Sequence, residues 1–109
     1  MGFFTDHKQY ELDKAAQHLY NQIVEFTGIL DQTGGIISPT AKISADKLEN
    51  AILDLYALFL KDKDSHRRVI WAGQRMNLGG LFPMLILIIE DDIEKPTGYR
   101  FSRLNGILR

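Results

Sequence analysis

The chain has 109 residues, 45% of them apolar and 25% charged, with a formal net charge of −1. That length suits one domain able to bury a core without covalent staples. The absence of cysteine excludes disulfides, thiolate metal sites and cysteine nucleophiles, and so small a net charge argues against a dedicated nucleic-acid binder.

Met1 to Lys8 lacks a charged leader followed by a long apolar region, so no secretory signal is expected. The longest apolar run, Leu81–Ile89, is about half the length that spans a bilayer. The expectation is a cytoplasmic protein that does not enter the membrane.

The first element is a helix from about Asp6 to Leu30. Leu12, Ala15, Ala16, Leu19, Ile23, Phe26 and Leu30 recur three and four apart, which makes one helical face apolar. Thr5 or Asp6 suits its N-cap, and Phe3 and Phe4 suit a hydrophobic staple ahead of it. Gly34-Gly35 ends it. Residues 32–44 form the main connection. Ser38-Pro39 and Ser44-Ala45-Asp46 are rival starts for the second helix. The strong periodicity after the latter favours a helix over about 45–61. Its stripe is Leu48, Ala51, Ile52, Leu55 and Phe59, and Leu53, Ala57, Leu58 and Leu60 make its second half apolar nearly all round.

Residues 61–65 read as a solvated turn, with Asp64 or Ser65 capping a third helix over about 65–77 that Gly79-Gly80 ends. On that helix His66, Val69, Ile70 and Met76 would face inwards and Arg67 and Trp71 outwards, flanked by Arg68 and Arg75. The fourth helix, about 82–94, carries the Leu81–Ile89 run, with Pro83 in its first turn and Pro96 as its far limit. Two features oppose a helix there. Ile86, Ile88 and Ile89 are β-branched, and Glu90, Asp91, Asp92 and Glu94 crowd the end where the helix dipole disfavours acids. The fold class expected is therefore mostly α, a four-helix small domain with a short extended C-terminal segment. The alternative is an α+β fold with a small antiparallel pair, 84–89 with 99–104. Residues 105–109 read as a loose tail.

Charge is unevenly spread. Residues 1–60 hold four Lys, no Arg and eight acids, a net of −4; residues 61–109 hold three Lys, six Arg and six acids, a net of +3. The one tryptophan on a face with Arg67, Arg68 and Arg75 is a combination favoured at protein interfaces. Its structural counterpart is Trp71 packed on a neighbouring helix with Arg67 stacked on it. Base stacking with phosphate-holding guanidiniums is the nucleic-acid variant of the same face. His7, Glu11, His18 and Glu25 fall on one side of the first helix, but the seven-residue step from Glu11 to His18 is about 10 Å. They read as an exposed polar edge, and no metal or cofactor is expected. The acids after residue 89 lack the alternating oxygen ligands of a calcium loop. They read as partners for Arg100, Arg103 or the Arg67/Arg68/Arg75 group.

The functional expectation is a small non-enzymatic interaction or regulatory protein. The surplus apolar surface of the second helix points to a homodimer. Arg67, Arg68, Trp71, Arg75, Arg100 and Arg103 are the residues expected to contact an acidic protein partner. A nucleic-acid-binding module using the same basic face is the competing reading.

Overall fold

Ser38 and Pro39 decide where the second helix begins. In the computed structural model, which describes residues 6–62 and 66–109, the Ser38 side chain accepts the Ala41 N–H at 3.1 Å and Pro39 opens the helix. Proline has no N–H to leave unsatisfied at that position, and its fixed φ suits the first turn. The expected start near residue 45 is thus corrected by a turn and a half. The caps expected from Thr5, Asp64 or Ser65, and the staple from Phe3 and Phe4, lie outside the described residues.

The first helix, α1 (His7–Thr33), starts with Asp6 accepting the Gln9 N–H. It ends where Gly34 turns left-handed at φ 66° and returns its N–H to Leu30, a closure that a residue without Cβ makes at low cost. The second, α2 (Pro39–Lys61), runs back along it, so that Lys8 and Leu12 lie beside Leu58 and Lys61. Leu12, Ala16, Leu19, Phe26 and Leu30 face Ala41, Ala45, Leu48, Ile52 and Leu55 within one continuous core.

No third helix forms over 65–77. That segment is an antiparallel hairpin of β1 (Arg68–Trp71) and β2 (Gln74–Asn77), with Val69 opposite Met76 and Ile70 opposite Arg75. Its two-residue turn, Ala72-Gly73, holds φ of 51° and 79°. Positive φ at both positions gives a turn whose twist matches paired strands. Exposure along β1 alternates, Arg68 and Ile70 out, Val69 and Trp71 in. That two-residue period is a strand's, and it reverses the helical assignment of Ile70 and Trp71 to inside and outside.

Asn77 then caps α3 (Leu78–Ile88) by accepting the Gly80 N–H at 3.2 Å. Gly79 and Gly80 therefore begin a helix rather than end one, and Pro83 lies inside it. The backbone continues without a break through a π-helical segment, Ile89–Glu94, and a last turn, Lys95–Thr97. Gly98, left-handed at φ 77°, closes it with an N–H to Glu94. The protein is mostly helical, with three helices rather than four among the described residues. The alternative pairing of 84–89 with 99–104 is absent, because 84–89 is wholly helical and 102–104 is a 3-10 turn. Among the described residues no helix is long and apolar enough to cross a membrane.

Candidate interaction surfaces

The hairpin is tied to α1 through its backbone and its inner face. Gln9 donates its side-chain amide to the Arg68 carbonyl at 2.7 Å, and Leu78 donates its N–H to the Arg67 carbonyl at 2.8 Å. Trp71, 9% exposed, meets Tyr20 edge to face with ring centroids 5.3 Å apart. The tryptophan expected on the outer face is thus a core residue, because a strand sends it to the side opposite Arg68.

Arg67 is committed internally as well. Its guanidinium joins Asp6 of the α1 cap to Asp62 at the end of α2, the latter at 2.8 Å. The hydrogen bond from Arg67, with the backbone N–H of Gln9, holds the Asp6 carboxyl below the usual carboxylate range. What remains on the outward face is Arg68, Ile70 and Arg75. Ile70 is 47% exposed, and among the described residues no carboxylate pairs with either arginine.

Arg100 and Arg103 lie elsewhere. Arg103 binds Glu49, whose side chain is 4% exposed, through its backbone N–H at 2.9 Å and its Nε at 3.1 Å. It also reaches Asp46 and Asn50. Residues 46–50 are about 18–24 Å along α2 from Asp62 at 1.5 Å per residue, so Arg103 and the hairpin do not share one patch. Arg100 is exposed on the C-terminal segment, near Glu90 and Asn105. The six residues expected to form one contact face are divided between two regions, and three of them are structural.

The acids after α3 find cations that sequence reasoning did not assign to them. Arg109 holds Glu94 with both terminal nitrogens at 2.7 Å and touches Glu90 at 3.3 Å, and Lys95 pairs with Asp91. Glu94, 3% exposed in its side chain, also accepts the Phe101 N–H at 2.7 Å. Arg109 first, and Phe101 with it, hold the Glu94 carboxyl below the usual glutamate range. These pairs offset the unfavourable position of acids at the end of a helix. His7, Glu11, His18 and Glu25 are all exposed along α1.

An apolar groove of about 570 Å³ opens between the last turns of α2 and α3. Its floor is aromatic: Phe82 lies 5.0 Å from Tyr56 and 5.3 Å from Phe59 between ring centroids. Pro83, Ile86 and Leu87 form one wall and Ile107 closes an end. The surplus apolar surface of the second helix and the Leu81–Ile89 run were its signals in the sequence. Neither locates the groove without the helix packing.

No protein-family model, curated protein or solved structure matches this chain. Its function is therefore argued from these surfaces alone.

Proposed function

We propose that this chain is a non-enzymatic interaction protein that contacts an acidic protein partner through the outward face of the hairpin, Arg68, Ile70 and Arg75. The observation that carries the reading is the pair of guanidiniums without internal carboxylates, set either side of a half-exposed isoleucine. An apolar centre with a cationic rim is the composition of a protein contact surface, where arginine is enriched. The Trp71–Tyr20 contact supports it from beneath, since a face held in place before binding loses less entropy on association. The same contact weakens the nucleic-acid reading, because a buried indole is not a platform for base stacking.

The test is a salt series with three labelled probes: a glutamate-rich peptide, a single-stranded RNA and a DNA duplex. The peptide is expected to bind the natural chain and to be lost by the Arg68→Glu, Arg75→Glu variant. Binding to the nucleic acids, with the steep salt dependence of phosphate contacts, and none to the peptide would contradict the proposal.

A further inference from the structure

Gly80, Pro83, Leu87 and Asp91 follow one another at steps of three, four and four along α3 and its π-helical continuation. That spacing sets them in one stripe. All four are exposed, Leu87 by 60%. The stripe borders the groove floored by Tyr56, Phe59 and Phe82. Its two ends differ in charge. At one end lies the start of a helix, where the dipole is positive and Gly80 presents bare backbone. At the other, about 16 Å away at 1.5 Å per residue, stands the half-exposed carboxylate of Asp91.

Gly80 has no reason to be glycine within its own chain. A Cβ built there meets nothing within 4 Å, and its φ is not in the left-handed region. Glycine at an ordinary helical position is disfavoured relative to alanine. Close approach of a second backbone is a use that this position has and an alanine there would obstruct.

We propose that a second copy of this chain docks on this groove, with the two α3 helices antiparallel about a two-fold axis between Pro83 and Leu87. An axis there sets Asp91 of each copy against the Gly80 end of the other, so that one favourable pairing of charge with dipole is made twice. Leu87 of each copy then covers the groove of the other, and Ile107 at its rim is covered with it. A parallel arrangement would instead bring the two carboxylate ends together. The occupant is thus argued from the stripe's own complementarity. It does not depend on the hairpin face.

Solution mass of the full chain at tens of micromolar tests this, by light scattering behind a sizing column. The natural chain is expected at twice its 12.5 kDa. Leu87→Glu is expected to halve that mass, and Ile43→Glu, an equally exposed site on the opposite side of α2, to leave it unchanged. A monomeric natural chain, or a dimer indifferent to Leu87→Glu, overturns the proposal. Should Leu87→Glu fail to fold, oxidation of Leu87→Cys and Ile43→Cys decides, because the chain has no other cysteine. Covalent dimer from the first alone supports the two-fold contact, and equal yields from both overturn it.

Discussion

Trp71 and Tyr20 meet edge to face, their rings 84° apart in plane, and this contact fixes which side of the hairpin the arginines occupy. With Trp71 turned towards α1, its neighbours Arg68 and Ile70 and the cross-strand Arg75 are left outside. The aromatic residue that suggested an interface in the sequence supports that interface from below and does not touch a partner.

Trp71→Ala should therefore destabilise the fold by about 3–5 kcal/mol, the usual cost of removing a large buried aromatic side chain. Chemical denaturation measures it. An unchanged midpoint would place the indole outside the core.

Charge reversal on the outward face should do the opposite. Arg68→Glu with Arg75→Glu is expected to shift stability by no more than about 0.5 kcal/mol per site, as exposed positions without partners do. Circular dichroism of the double variant should match that of the natural chain while binding is lost.

Arg109→Ala removes both nitrogens from a carboxylate that is 3% exposed. Breaking a buried pair from one side costs about 3–5 kcal/mol, and the higher figure is unlikely to be reached because Glu94 keeps the Phe101 N–H. A loss of about 3 kcal/mol in urea unfolding is expected.

The same pair sets a dependence on pH. Glu94 has its carboxyl lowered from 4.5 in the folded state, chiefly by Arg109. Its stabilising contribution is complete above that unfolded value and is lost as pH falls through the folded one. The natural chain should therefore lose stability steadily below about pH 4.5, and Arg109→Ala should lose less over the same interval. Urea midpoints collected across that interval for both proteins give the comparison.

The turn offers a gain. Ala72 is a residue with Cβ held at φ 51°, a region that costs an ordinary residue about 1–2 kcal/mol and that asparagine tolerates. Ala72→Asn is expected to raise stability by about 0.5–1 kcal/mol. A fall in the thermal midpoint would contradict the left-handed turn.

Helices α1 and most of α2 were legible because their apolar residues repeat at helical spacing and their partners are each other. The hairpin was not. Four-residue strands are too short to establish a period, and Ala72-Gly73 lacks the asparagine or aspartate that marks such turns. Reading 65–77 as a helix then sent Trp71 to the wrong side. The start of α2 hung on a choice between two serines, which the periodicity beyond residue 45 decided wrongly. Nor could spacing reveal that Arg103 is committed to Glu49, 54 positions away, or Arg109 to Glu94. Those pairings arise only when the C-terminal segment folds back across α2 and α3. With them settled, the arginines left for a partner shrink from the whole second half of the chain to the hairpin and Arg100.

Capture from source-cell extract, with nuclease, tests the central claim most directly when the natural chain is compared with its Arg68→Glu, Arg75→Glu variant. The account predicts an acidic protein retained by the natural chain, released by salt, unaffected by nuclease and absent from the variant. The same proteins on both baits, or retention abolished by nuclease, would contradict it.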